Sequence, residues 1–181
     1  MNKFHALFTD CQCLSPCVSN LAVALSALNA TIVVQRGRKA VPLPIAKLYD
    51  AAWSNAKVHN SLEPADLILR VEVPVTAGGR SAYLQLAEKS DFDWALVSCA
   101  VAGRLEGGRL RGVRIALGAV APIPWQVEAA GKFLEGREPT DENAAQAADL
   151  VLRDAAPHEH NGYKIPQARA LIRRAVRKLS A

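Results

Sequence analysis

Three cysteines lie close together near the amino terminus, where they could bind a metal ion or take part in redox chemistry. Cys11, Cys13 and Cys17 follow a C-x-C-x-x-x-C pattern. Thiolates in such a cluster suit zinc or copper. However, the spacing differs from that of common zinc motifs, and the nearby candidates for a fourth ligand are His5 and Asp10. We therefore expect thiols that bind no metal.

A second group of possible metal ligands is His158-Glu159-His160. Histidines two positions apart can share a metal only on an extended segment, and no third ligand is evident, so we interpret this group as a solvated loop. Gly78-Gly79-Arg80 could touch a phosphate, but it lacks the strand-to-helix context and is predicted to be a linker turn. Because no nucleophile elbow, carboxylate pair or phosphate loop stands out, we predict no catalytic residue.

The first part of the chain is predicted to alternate helices and strands. A helix is expected from Ser19 or Asn20 to Asn29, since either of the first two residues can cap it. The β-branched segment 31–35 is predicted to be a strand that exposes an apolar face or an unpaired edge. A short helix is expected over residues 45–52, within a proline-containing segment that otherwise looks irregular.

Apolar residues alternate with others from Leu67 to Val73, which predicts a half-buried strand. Thr76-Ala77-Gly78-Gly79 follows it. This segment is the natural boundary between the two parts of the chain, because glycines favour turns.

The second part is predicted to contain antiparallel strands followed by helices. A strand and a long buried hairpin are expected over residues 81–118, with the reversal at Glu106-Gly107-Gly108. Of three further helices, the first ends at Gly136, the second is capped by Thr140 and the third follows Tyr163. Strands first and helices last indicate an α+β fold, with the helices on one face of an antiparallel sheet.

The composition is that of a globular protein. The chain has 181 residues and is 50% hydrophobic, which suits one domain of moderate size or two small ones. No apolar run reaches the roughly 18 residues of a membrane span, and the amino terminus lacks the pattern of a signal peptide. We therefore expect no membrane contact and a cytoplasmic location.

A net charge of +5 raises the question of nucleic-acid binding. Much of the charge lies on the last predicted helix, in Arg169, Arg173, Arg174, Arg177 and Lys178. Apolar residues recur at helical spacing there, which leaves arginines on a solvated face. Because no aromatic stacking platform accompanies these charges, we expect no nucleic-acid partner.

Individual sequence segments of the second part are more informative about its family than its hydrophobic pattern. It contains FDWALVS from Phe92, RIALGAVAPIPW from Arg114, EAAGKFLEG from Glu128 and NGYKIPQARALIRRAV from Asn161. Together these segments resemble the carboxy-terminal domain of the flavin subunits of molybdenum hydroxylases, the family of xanthine, aldehyde and carbon monoxide dehydrogenases. The resemblance implies a domain that serves structural support and docking.

The first part extends the resemblance. FHALF from Phe4, then Cys13, then SNLAVAL from Ser19, resembles the second half of the same family's FAD-binding domain, and LEPADLILRVEVP from Leu62 resembles the strand that closes it. The resemblance implies an incomplete FAD-binding α+β subdomain over residues 1–74. A carboxy-terminal domain with an antiparallel sheet and three helices is implied over residues 75–181. The family's two glycine-rich loops, which hold the FAD diphosphate, lie before the point where this chain starts.

Four candidate FAD-binding residues follow from the resemblance. Ser19 and Asn20 match a Ser-Asp pair that bonds the ribityl chain, and the Asn in place of Asp is expected to weaken that contact. The alternative role for both residues is to cap the helix. Ile68 matches an apolar residue near the isoalloxazine. Leu84 stands where relatives often carry a lysine close to the flavin, so a positive charge is lost there.

Two functions are implied. The first is a flavoprotein subunit of a molybdenum hydroxylase, which passes electrons from iron–sulfur clusters through FAD to an acceptor. Its partners are an iron–sulfur subunit and a molybdopterin subunit, and because exported members exist, a periplasmic complex is an alternative location. The second is a flavin-free remnant that acts as a docking module with no catalysis of its own.

The missing loops also lead to expectations for the chain by itself. We expect it to be inactive and to carry no stoichiometric FAD. We further expect an exposed apolar surface that a second copy or a complementary chain covers.

Overall fold

The computed structural model describes residues 2–10 and 13–180, and within them five helices accompany two antiparallel sheets. The helices are α1 (Asn20–Ala27), α2 (Ile45–Ser54), α3 (Glu128–Leu134), α4 (Asp141–Leu152) and α5 (Lys164–Lys178). The strands are β1 (Thr31–Arg36), β2 (Lys39–Pro44), β3 (Leu67–Glu72), β4 (Gly79–Leu86), β5 (Val97–Glu106), β6 (Arg109–Gly118) and β7 (Trp125–Gln126). The predicted α+β class is confirmed.

The larger sheet is built around the hairpin of β5 and β6. Gly107 and Gly108 both have a positive φ, of 56° and 78°, as a tight two-residue reversal requires. Glu106 pairs with Arg109 beside this turn. β4 extends the sheet on the β5 side and β7 on the β6 side. The predicted hairpin is therefore confirmed.

The main core lies between one face of this sheet and helices α3, α4 and α5. β5 and the second half of β6 contribute odd-numbered residues to it, among them Val97, Cys99, Val101, Val113, Ile115 and Leu117. Successive side chains of a strand point to opposite faces, so Ala100, Ala102 and Ala116 face the other side, where they pack against Val23 and Ala27 of α1. The three helices of the second part thus lie on one face of the sheet, as predicted. Short alanine side chains let α1, from the first part, cover the second face.

Helices α4 and α5 pack together and are joined by surface ion pairs. Thr140 caps α4, because its hydroxyl accepts a hydrogen bond from the Asn143 N–H at 3.2 Å. On α5, Arg169 pairs with Asp149 of α4 and Arg173 pairs with Asp141. Two of the basic residues are therefore partly neutralised by the neighbouring helix.

The first residues of the chain belong to the same core. Leu7 and Phe8 donate backbone hydrogen bonds to the Val120 carbonyl at 2.6 and 3.1 Å, and their side chains are buried among those of the hairpin and the helices. The Phe8 ring stacks on Trp125 with 4.3 Å between centroids. The division at residues 74 and 75 stays a prediction, and a fragment that begins at Val75 would lack both core residues.

The smaller sheet differs from expectation in its order, β2-β1-β3. β1 is the central strand, and its Val33 and Val34 are only 3% and 2% exposed. The prediction that this segment offers an exposed edge was therefore wrong. The proline-containing segment before α2, predicted to be irregular, instead forms β2, which as an edge strand tolerates Pro42 and Pro44.

β3 was predicted to be half-buried, but every one of its residues is exposed. Its register against β1 shifts between Val33 and Val34, so Leu69 is an extra residue in the ladder. As a result, Ile68 and Val71 lie on the same face, opposite Val34 and Ile32 respectively. The simple alternation read from the sequence is broken by this bulge.

Candidate flavin-contacting surface

The candidate site is centred on the start of α1. Ser19 is the N-cap, and its Oγ accepts a hydrogen bond from the Ala22 N–H at 3.2 Å. Ser19 and Asn20 are both exposed. The capping role that the sequence left open for Ser19 is therefore present, and it leaves the hydroxyl at the surface, where it could also reach a ligand.

Asn20 connects the start of α1 to the edge strand β4. Its Nδ2 donates a hydrogen bond to Gln85 Oε1 at 2.9 Å, and Tyr83 Oη donates to the same oxygen at 3.0 Å. Partial burial raises the pKa of Tyr83 above its ordinary value, so the phenol is a neutral donor. These side chains form a polar cluster of an amide, a second amide and a hydroxyl beside the helix terminus.

Tyr83 and Gln85 were not singled out from the sequence. The signal that could have found them is the alternation in AYLQL, because alternate residues of a strand share a face. Tyr83 pairs with Ala100 of β5, and Ala100 packs against α1. A ligand that bonds the Asn20 amide would therefore lie near Tyr83 and Gln85.

Leu84 lies on the opposite face of β4 from this cluster. It packs against the main core and borders a surface cavity that it shares with Leu171 and Arg174 of α5. The sheet therefore separates Leu84 from Asn20. A role for Leu84 near a flavin stays a prediction.

Ile68 lies in the smaller sheet, on β3. Its side chain is 43% exposed, as an apolar contact for a flat ring system would need to be. The structure brings Asn20 together with β4, whereas Ile68 approaches from a different sheet. Contact of these residues with one flavin stays a prediction.

A separate buried cluster explains two of the motifs that carry the resemblance. Lys164 is 1% exposed, and its Nζ donates to the carbonyls of Phe4, His5 and Ala119 at 2.9, 3.0 and 2.7 Å. Asn161 Nδ2 donates to the carbonyls of His5 and Ala6, both at 3.1 Å. The NGYK segment therefore holds the FHALF segment in place, which is a structural role.

The cysteine cluster shows no metal geometry within the part of the chain that the structure describes. Cys11 lies outside the described residues. Burial raises the pKa of Cys17 above its ordinary value, which keeps the thiol protonated and makes it a poor metal ligand. No group of three or more His, Cys, Asp and Glu side chains among the described residues could hold a metal ion.

His158 and His160 lie in the exposed loop before α5, as predicted. The His158 N–H donates to Asn161 Oδ1 at 2.6 Å, and the His160 N–H donates to Asn2 Oδ1 at 2.9 Å. Their backbone groups thus help to shape the loop.

The described residues fit part of a flavin. The exposed hydroxyl of Ser19 and the amide of Asn20 suit a polyhydroxyl chain, and the exposed Ile68 suits an apolar ring face. Among the described residues, α1 is entered through Cys17-Val18-Ser19 and not through a glycine-rich loop. Groups that suit the ribityl chain and the ring are therefore exposed, and the described part of the chain contains no glycine-rich diphosphate loop; contact with a flavin stays a prediction.

Comparison with known proteins identifies the family. Residues 81–179 match the sequence model of the CO dehydrogenase flavoprotein C-terminal domain family. The chain therefore belongs to that family, and the predicted resemblance to the FAD-binding subunits of molybdenum hydroxylases is confirmed.

Sequence relatives extend the match beyond this domain. The chain is 27% identical over 161 residues to the aldehyde oxidoreductase FAD-binding subunit PaoB of Escherichia coli K12, a match that covers 88% of this chain and 48% of PaoB. It is 33% identical over 120 residues to the carbon monoxide dehydrogenase medium chain of Hydrogenophaga pseudoflava, which covers 64% of this chain and 42% of that one. The chain spans about half the length of the curated relatives it matches.

Solved structures share the fold. A carbon monoxide dehydrogenase structure from Hydrogenophaga pseudoflava superposes with a TM-score of 0.74 and 30% identity, over 87% of this chain and 57% of the other. Quinoline 2-oxidoreductase from Pseudomonas putida 86 superposes with a TM-score of 0.77 over 92% of this chain and 57% of that one; at 24% identity, this match shows the fold alone. None of the helices among the described residues is long and apolar enough to cross a membrane.

Proposed function

We propose that this chain forms part of the FAD-binding subunit of a molybdenum hydroxylase-type oxidoreductase. In this role it would help to pass electrons from iron–sulfur clusters through FAD to an acceptor. FAD, when bound, supplies the redox chemistry. The proposed partners are an iron–sulfur subunit and a molybdopterin subunit.

One observation carries the proposal, namely the exposure of β3, the strand that carries Ile68. β3 is an edge strand of the smaller sheet, and the exposure of its apolar residues ranges from 61% at Leu67 to 42% at Val71. An exposed apolar strand with unpaired backbone groups normally needs a cover. Since the matched relatives are about twice as long, we infer that the FAD-binding half of such a subunit packs on β3.

In this arrangement the chain's own residues would hold one side of the flavin. Ser19 and Asn20 would bond the ribityl hydroxyls, and Gln85 would fix the Asn20 amide through the bond at 2.9 Å. Ile68 would exclude water from one part of the ring. The diphosphate would be held by the packed half, because the described residues offer no glycine-rich loop.

A chimera tests this proposal directly. The half of PaoB that this chain does not match would be fused ahead of residues 1–181. Bound FAD would be measured after desalting by its absorbance at about 450 nm. We expect about one FAD per chimera, and no stoichiometric FAD on residues 1–181 expressed by themselves.

Variants of the chimera locate the contacts. Asn20→Ala combined with Ile68→Asp should lower FAD retention, whereas the exposed Asn60→Ala serves as a matched control and should not. A chimera that is folded by circular dichroism and monodisperse, yet retains no flavin, would contradict the proposal. Such a result would favour a docking module without a cofactor.

A further inference from the structure

A cavity lined by arginines lies at the end of α1 that is distant from Ser19. Its volume is about 280 Å³, and it is bordered by Leu28, the loop before β4, and residues of β4, β5 and β6. Four arginines line it, namely Arg80, Arg104, Arg111 and Arg114. No aspartate or glutamate occurs among the described residues that line this arginine cavity.

The charges around the arginine cavity do not cancel. Glu106 pairs with Arg104 at 2.6 Å, and Glu135 pairs with Arg111 at 3.3 Å. Arg114 makes no ion pair with a carboxylate in the described part of the chain; its Nε instead donates to the Ala27 carbonyl at 2.7 Å. On the α1 side of the sheet, the guanidinium groups of Arg104, Arg111 and Arg114 thus converge. Only two carboxylates of the described residues pair with them, and both lie outside the cavity lining.

Two of these arginines are held in place by helix ends. Arg114 bonds the last residue of α1. Arg80, on the opposite face of β4, donates through Nη1 to the carbonyl of Leu179, the C-cap of α5, at 2.9 Å. A guanidinium has five N–H donors, so anchoring Arg114 through one leaves others for a ligand. Because anchored side chains lose less freedom when a ligand binds, the binding cost is lowered.

We propose that the arginine cavity binds a phosphate-bearing anion of the diphosphate type. Guanidinium groups bond phosphate oxygens in pairs, with both charge and geometry in their favour. Hydroxyl groups of Thr76 and Ser81 also line the cavity and supply further donors. The cavity is about nine times the volume that one water molecule occupies in the liquid, which leaves room for two linked phosphate groups. This proposal does not depend on flavin binding at the other end of α1.

Nuclear magnetic resonance of the ¹⁵N-labelled chain, titrated with inorganic pyrophosphate, tests the proposal. The backbone amides of Gly103 and Gly112 line the cavity and should shift with saturation. Those of Gly37 and Gly162, which lie elsewhere, should not. Binding should weaken as salt is raised from about 0.01 M to about 0.15 M, because the site is partly exposed.

Substitutions show which arginines bind pyrophosphate. Arg104→Gln and Arg114→Gln should each weaken pyrophosphate binding about tenfold, whereas Arg38→Gln, in the exposed turn between β1 and β2, should leave it unchanged. Arg104→Gln is the safer variant for folding, because its ion-pair partner Glu106 is exposed.

Two further outcomes have defined meanings. Binding of adenosine diphosphate with the same affinity as pyrophosphate would support the site. Tighter binding of adenosine diphosphate would also support it and would indicate an additional contact with the nucleoside. Absence of a saturable shift at about 10 mM pyrophosphate would overturn the proposal. Equal binding by Arg104→Gln and Arg38→Gln would also overturn it.

Discussion

At the scale of single residues, Lys164 joins two parts of the chain that are far apart in sequence. Its ammonium group is shared by three carbonyls, two from the amino-terminal segment and one from the end of the large sheet. Burial lowers the pKa of Lys164 to about 8. The residue is therefore both a structural anchor and a titratable group in the accessible pH range.

Replacement of this anchor should destabilise the fold. We expect Lys164→Met to lower the free energy of unfolding by about 2–3 kcal/mol near neutral pH, because three buried carbonyls lose their donor. The exposed Lys57→Met is the control and should change it by less than about 0.5 kcal/mol. Urea unfolding followed by circular dichroism measures both.

The loss in free energy of unfolding caused by Lys164→Met should depend on pH. An unfolded lysine has a pKa of about 10.4, so between about pH 8 and pH 10.4 the unfolded chain binds more protons at this residue than the folded chain. The contribution of Lys164 to stability therefore rises with pH in this window and is lost as the pH falls through about 8. Lys164→Met should therefore lower the free energy of unfolding by about 2 kcal/mol more at about pH 9.5 than at about pH 7.5. A cost that is the same at both pH values would contradict the lowered pKa.

At the scale of elements, α3 approaches β6 unusually closely at Gly131. A Cβ atom at this position would lie 2.2 Å from the Val113 carbonyl oxygen, which is backbone and cannot move away easily. Alanine in a helix is normally more favourable than glycine by about 1 kcal/mol. Here the contact with the strand reverses that preference.

Gly131→Ala is expected to lower the free energy of unfolding by about 2 kcal/mol, because α3 must shift away from the sheet. Gly162→Ala provides the control, since the nearest atom to its added Cβ is 3.8 Å away. Chemical unfolding of the two variants side by side gives the comparison. Equal stabilities would show that α3 can move at no cost.

At the scale of the whole molecule, the apolar surface of β3 determines how the chain associates. We expect the isolated chain to self-associate between about 10 and 100 μM through this strand. Leu67→Lys combined with Val71→Lys should reduce the association, because charged side chains protect a strand edge. Sedimentation velocity at several concentrations measures it.

Gln146→Lys is the matched control for charge, since residue 146 lies on the exposed side of α4. It should leave the association unchanged. If the unmodified chain sediments as a monomer at about 100 μM, then β3 does not mediate association. The inference that the FAD-binding half of the subunit packs on β3 would then lose its support.

Local signals in the sequence were sufficient for several elements. Thr140 as a cap, Gly136 as a terminator and Gly107-Gly108 as a turn were read correctly, because each acts through its own backbone or its nearest neighbours. The family was also identified from short motifs. The α+β class followed from the order of these elements.

Contacts between distant segments were decided only by the tertiary structure. The central place of β1, the bulge at Leu69 and the burial of Lys164 depend on which strand pairs with which and on how the amino terminus inserts. For the candidate site, the sequence pointed to four residues, Ser19, Asn20, Ile68 and Leu84. That Asn20 bonds Gln85 and that Leu84 lies on the other face of β4 depends on the packing of α1 and α5 on the sheet. Strand pairing depends on free energies summed over the whole fold, so local patterns in the sequence identified the family and most of the elements but missed β2. Three-dimensional packing decided which faces and edges the protein presents.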